Sequence, residues 1–294
     1  MVLTWPIDLL VLFAITTPIV YLVGVKVKAG KLVDAWAVAG FALSFISLYL
    51  LYAEASIKKI ITQYWAGSQL RGVALLEIDV LSIFMAAVFI FIGLLTAIYS
   101  TRYMEHDSGH GEYYTLLLLM VAGMVGVAFA GDFFTFFLFW ELMCITSYVL
   151  VAFRKTRWEP VEAGFKYLIM SSAGSATVLF AMSILYGLTG SLNFAYLSRT
   201  LSTAPTPWSI LALAMIVLGL GVKAAVVPFH TWLPDAHPAA PSSISAMLSG
   251  VVIKTGVYGL IRIMLLVFAP DAYNWQIVMA VFAVLTMTVG NLMA

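Results

Sequence analysis

Three ionisable residues stand in runs where apolar sequence leaves no place for charge. They are Glu141 in "GDFFTFFLFWELMCITSYVLVAF", Lys223 in "LGLGVKAAVVPFHTWLPDAHP" and Lys254 in "SAMLSGVVIKTGVYGLIRIMLLVF". On insertion scales each costs on the order of 2.5–3.5 kcal/mol at the centre of a membrane helix, so three unpaired charges would rival the stability of a whole domain. They must face the protein interior, a partner or water. A static salt bridge is the structural alternative, yet two lysines and one glutamate cannot all pair off. Burial strips a lysine of its proton, whereas a nearby carboxylate holds the proton on. A Glu141 that approaches and leaves Lys223 would load and unload protons, which is the chemistry of a relay.

The sequence around the lysines supports hydration. A helical side chain leans back over the turn before it, and residue i−4 is Gly219 for Lys223 and Gly250 for Lys254. Both ammonium groups therefore have an empty slot, although glycine also serves close helix packing. Pro228 has no N–H, so the carbonyl of Ala224 loses its helical partner one residue after Lys223. Water in a polar cavity can replace that donor, as at the broken helices of transporters, and a mere packing kink is the other reading. His230 and His237 flank "TWLPDA" after the break, where they either pass protons between the lysines or cap loops.

These residues need helices to carry them. The chain is 63% hydrophobic and only 10% charged, too apolar for any solvent but lipid. Its net charge of +1 argues against nucleic acid as a partner. Apolar stretches of about 20 residues, the length a bilayer core requires, recur throughout. They place helices near 5–25, 33–53, 79–99, 113–131, 133–153, 165–187, 208–228, 242–268 and 273–294. An all-α, polytopic bundle of about nine transmembrane helices follows, with the seventh broken. "EASIKKIITQYWAGSQLRG" reads as an interfacial segment, and "TGSLNFAYLSRTLSTAPTP" as a short amphipathic surface helix. Lys26, Lys28, Lys31, Arg102, Arg154, Lys155 and Arg157 follow odd-numbered helices, against Lys58, Lys59, Arg71 and Arg199 after even ones. That imbalance puts the N-terminus outside the cell membrane.

Other residues carry less. The single cysteine, Cys144, excludes an intramolecular disulfide, an iron–sulfur cluster or a cysteine zinc site, and reads as a packed hydrophobe. No cofactor is expected in this chain. Asp132 reads as a helix N-cap, "SSAGSA" at 171–176 as a packing face, and Lys166, Arg262 and Asp79 as residues snorkelling from helix ends. Glu141 and Lys223 are expected at similar depth, on antiparallel helices.

"GDFFTFFLFWELMCITSYVLV", "VKAAVVPFHTWLPDAHPAAPSSISAMLSG" and "VVIKTGVYGLIR" resemble the antiporter-like membrane subunits of respiratory complex I, membrane-bound hydrogenases and multisubunit cation/proton antiporters. The resemblance implies a half-channel for protons in which Glu141, Lys223 and Lys254 are the relay. It also implies two inverted repeats of five helices. On that frame, 1–112 hold N-terminal helices and the interfacial segment, 113–268 the first repeat, and 269–294 the start of a second, truncated one. The chain should then need other membrane subunits to complete a path. The leading expectation is a proton-translocating subunit of a redox-driven complex, not catalytic alone. A sodium/proton antiporter subunit and a non-conducting structural subunit are the alternatives.

Overall fold

The computed structural model describes residues 5–27, 31–64, 75–201 and 205–293. Among these, eight helices are long and apolar enough to cross a membrane: α1 (Trp5–Val27), α2 (Leu32–Lys58), α3 (Val80–Tyr103), α4 (His110–Phe129), α5 (Phe133–Val151), α6 (Trp158–Thr189), the continuous run Ser242–Val267, and Trp275–Met293. The short apolar helix α8 (Pro207–Lys223) is a ninth element of the same kind. The protein is a polytopic all-α membrane bundle, as the recurring apolar stretches indicated. Lys28 and Arg71, two of the residues that set the expected orientation, lie outside the described residues.

α4 is the hub. It packs on α1, α2, α3, α5 and the later part of the run Ser242–Val267, and is buried nearly all round. Its approach to α5 depends on glycine: a Cβ on Gly126 would stand 2.1 Å from the Phe139 ring. The expected packing face 171–176 has the same role between α6 and α8. There a Cβ on Gly174 would lie 2.8 Å from the Gly219 carbonyl oxygen.

The interfacial segment contributes to a β-hairpin that apolar patterning did not reveal. β1 (Ile61–Tyr64) pairs antiparallel with β2 (Leu75–Ile78), with Thr62 opposite Glu77. Asp132 docks this hairpin while capping α5: its carboxylate accepts from the Thr135 N–H at 2.8 Å and the Leu75 N–H at 2.6 Å. α7 (Phe194–Leu201) is the expected short amphipathic helix, burying Phe194, Leu197 and Leu201.

The break after α8 begins earlier than the expected end at 228. The helix stops at Lys223, and Ala225 takes a left-handed φ of 53°. Bonds from the protein itself close the end: the Val226 N–H reaches the Gly221 carbonyl at 3.0 Å and the Trp232 indole reaches the Val222 carbonyl at 2.8 Å. Pro228, five residues on in a cis peptide, lies in the turn rather than in the helix. The short helix α9 (Leu233–Ala239) follows, then α10 (Ser242–Met247), a π-helical turn (Leu248–Val252) and α11 (Ile253–Val267) as one continuous rod. A single turn, α12 (Pro270–Tyr273), leads to α13 (Trp275–Met293). α13 has no buried residues and leaves an apolar groove of about 440 Å³ against α11 and the break after α8.

Candidate functional site: a buried lysine and its neighbours

Lys223 is 2% exposed and occupies a closed pocket between α5, α6 and the end of α8. Its ammonium donates to Ser147 Oγ at 2.9 Å and to the Tyr167 hydroxyl at 2.5 Å, and those two hydroxyls bond each other at 3.0 Å. The charge also stands 4.7 Å from the centre of the Tyr167 ring. Trp232, from the break, stacks on the far face of that pocket with its ring 4.0 Å from Tyr167 and nearly parallel to it. The break thus walls the lysine in. Gly219 is no vacant slot for its head, since a Cβ there would meet the Gly174 carbonyl oxygen at 2.5 Å. That glycine serves helix packing.

Glu141 is half-buried on α5, and its Oε1 has no hydrogen-bond partner. No ion pair joins it to Lys223 among the described residues. The reason is geometric. α6 crosses back and α8 crosses again, so α8 runs parallel to α5, not antiparallel, and Lys223 comes level with Ser147. That is six residues beyond Glu141, a rise of about 9 Å. Cys144 lies between, and both it and Tyr148 are within electrostatic range of both charges. Cys144 is buried and packed, as expected.

Lys254 is exposed on this chain, and its ammonium bends back to the Ser249 carbonyl in the π-helical turn. Its i−4 residue Gly250 does leave open space, with only Ile92 Cγ2 at 4.0 Å. His237 bonds Ser245 Oγ at 2.8 Å; burial holds the imidazole below its usual value, and the charge of Lys254 adds to this. His230 instead meets Met293 Sδ of α13 at 3.3 Å, with its Nδ1 buried and unpartnered. The two histidines therefore belong to different neighbourhoods.

The rod carrying Lys254 is held at its start by hydroxyls. The Tyr103 hydroxyl accepts from the Ser242 N–H at 3.1 Å, and Tyr113 donates to Ser243 Oγ at 2.7 Å. Arg154 backs Tyr103 and is paired with Asp107 at 2.9 Å; that carboxylate holds the guanidinium above its usual value. At the far end, Arg262 departs from the expected snorkelling. It is 8% exposed and paired with Asp79, the N-cap of α3. Lys166 does reach outward, to Glu162 at 3.0 Å and Asp235 at 2.9 Å.

Residues 130–294 match the transmembrane family described as NADH:quinone oxidoreductase/Mrp antiporter, and residues 70–114 match the N-terminus of NADH-ubiquinone oxidoreductase (complex I) chain 5. The chain belongs to this antiporter-like family. It is 35% identical over 221 residues to F(420)H(2) dehydrogenase subunit N of Methanosarcina mazei, covering 74% of this chain and 45% of that protein. It is 37% identical over 214 residues to NADH-quinone oxidoreductase subunit N of Desulfitobacterium hafniense, covering 72% and 43%. The chain thus spans somewhat under half the length of these relatives. A chain of the membrane-bound sulfane sulfur reductase, an archaeal respiratory membrane complex, superposes with a TM-score of 0.85 at 28% identity, over 94% of this chain and 55% of that one.

Sequence reasoning in this family member missed Ser147, Tyr167 and Trp232. A signal for the first was present: Glu141, Cys144 and Ser147 recur every third residue and so share a face of α5. Trp232 carried none, because its place depends on how the break folds back.

Proposed function

We propose that this chain is a proton-translocating membrane subunit of a redox-driven, complex I-like or membrane-bound hydrogenase assembly, with Glu141, Lys223 and Lys254 as its relay. Other membrane subunits are its partners, and its N-terminus faces outside. One observation carries the reading: the Lys223 ammonium is buried in the bundle with hydroxyls, not a carboxylate, as its hydrogen-bond partners. A hydroxyl accepts from an ammonium and can equally donate to a neutral amine, so the pocket satisfies both protonation states. A directly bound carboxylate would lock the charged one. Half-buried Glu141, whose Oε1 is buried and unbonded, is free to change its distance from that charge. The names of the relatives support a dehydrogenase or oxidoreductase context.

Proton pumping by the assembled complex in sealed vesicles tests this. Lys223→Ala and Glu141→Gln should each abolish pumping with the abundance of the complex unchanged. Normal pumping in both would overturn the relay. The family description also covers Mrp antiporters, so a sodium/proton antiporter subunit is the second reading. Co-purification separates the two: iron–sulfur or nickel subunits favour the first, membrane subunits alone the second.

A further inference from the structure

At the end of α11 away from α10 lies a second charged cluster that the relay does not use. Asp79 has extended backbone, φ −122° and ψ 177°, and Glu77 precedes it by two residues on β2. Side chains two apart on extended backbone project to the same side. On that side Arg262 is buried. Its Nη1 is engaged by Asp79, while its Nε and Nη2 are buried without a hydrogen-bond partner among the described residues. A guanidinium presents its five donors as a rigid fork, and a buried edge left open is costly unless an acceptor is close. The Tyr258 hydroxyl and Glu77 are both within electrostatic range; that hydroxyl is engaged with the Ala128 carbonyl at 3.0 Å, which leaves Glu77 as the carboxyl beside Asp79 for the open edge among the described residues.

We propose that Glu77 is a proton-exchanging acid at this face of the membrane, and that the open edge of Arg262 receives its carboxylate when the proton leaves. The O–H bond of the neutral acid breaks, its electron pair stays on the carboxylate, and water takes the proton as hydronium. The new carboxylate then accepts from Nε–H and Nη2–H. Arg262 keeps its charge, and Asp79 keeps its bonds from Nη1 and the Ser82 N–H throughout. The inference rests on the proton-translocating reading and adds a place where protons meet water.

The two acids are suited to different tasks. Burial pushes Glu77 above the usual carboxylate range, with Arg262 opposing and Asp79 reinforcing. Burial acts the same way on Asp79, but bonds from Ser82 and Arg262 outweigh it and hold that carboxyl below its usual value. Neighbouring carboxyls pushed apart in this way divide into one that stays ionised and one that exchanges. Among the described residues, the groups facing Glu77 are few. α11 contributes Arg262 and Tyr258, β1 places uncharged Thr62 opposite, and Gly131 packs on its Cβ. Asp132, next to that glycine, is committed to the Leu75 N–H and to Thr135.

The test uses the assembled membrane complex in sealed vesicles, with pumping rate followed against the pH of the compartment that the hairpin faces. The rate should rise as that pH climbs through the titration of Glu77. Glu77→Gln should lower the rate and remove this limb, and Glu77→Asp should restore it. Infrared difference spectra give a second readout: the carboxylic C=O band absent in Glu77→Gln should titrate. Its midpoint should move to higher pH in Arg262→Lys, which keeps the charge but loses the second edge. An unchanged rate and pH limb in Glu77→Gln, or a midpoint indifferent to Arg262→Lys, overturns the proposal. Where Glu77→Gln lowers the abundance of the complex, Glu77→Asp and the infrared titration decide. Pumping that survives Glu141→Gln and Lys223→Ala would instead sink the relay while leaving the Glu77 titration readable.

Discussion

Lys223 and Lys254 look alike in sequence and differ in structure. Each sits in an apolar helix with glycine four residues before it. Lys223 is sealed between α5, α6 and Trp232, with two of its three donors engaged by Ser147 and Tyr167. Lys254 lies exposed beside an open slot and rests on a carbonyl of its own helix. The difference teaches that an identical local pattern yields a closed or an open site according to what the neighbouring helix supplies. In the relay proposed above, a proton on the first would wait for a rearrangement, and one on the second would need only a rotamer change.

The largest effect that would break this contrast is at Lys223 itself. Lys223→Ala should abolish pumping, yet the complex should assemble, because Ser147 and Tyr167 already bond each other and stay satisfied. Loss of assembly would show the ammonium to be a structural pin. Tyr167→Phe should come next. Removing a hydrogen bond to a charged group costs about 2 kcal/mol, more than removing one to a neutral amine, so the protonated lysine loses more and the pumping profile should move towards lower pH. Ser147→Ala should move it the same way. An unshifted profile in both would mean that the hydroxyls do not govern the charge.

The glycines sharpen the comparison from the packing side. Gly219→Ala would drive a methyl into the Gly174 carbonyl and Val178, costing about 1–3 kcal/mol and lowering the thermal stability of the complex. Gly250→Ala meets nothing closer than Ile92 at 4.0 Å and should leave stability unchanged. Equal melting temperatures for the two variants would remove the distinction. The smallest effect concerns Lys58, exposed and paired with Glu54 one turn away: Lys58→Ala should alter neither pumping nor abundance.

The apolar runs announced the crossings because lipid imposes length and composition directly, and α1 to α6 fall close to their expected places. Lys223 and Glu141 were legible for the same reason, as charges where charge is expensive. The hairpin was not: Ile61–Tyr64 and Leu75–Ile78 are too short for periodicity to register, and their pairing depends on Asp132 from a distant turn. Arg262 was misplaced because a position near a helix end suggests a path to water, and only the fold brings Asp79 to cover it. The helix break was seen through Pro228 but set too late, since the turn starts with Ala225. Nothing in a proline reveals that the residues before it have already left the helix.

The π-helical turn Leu248–Val252 sets the phase of everything that follows it. Such a turn holds one residue more than an α-turn, so the helix beyond is rotated by about 100° relative to an uninterrupted one. The face on which Lys254 lies is therefore fixed by a single surplus residue, not by the spacing of apolar side chains. Deleting Val251 should let the rod close into regular α-helix and carry Lys254 more than a quarter turn around its axis. A cysteine in place of Lys254 would report that rotation as a changed rate of thiol labelling, and an unchanged rate would show that α11 is held in phase by its contacts instead.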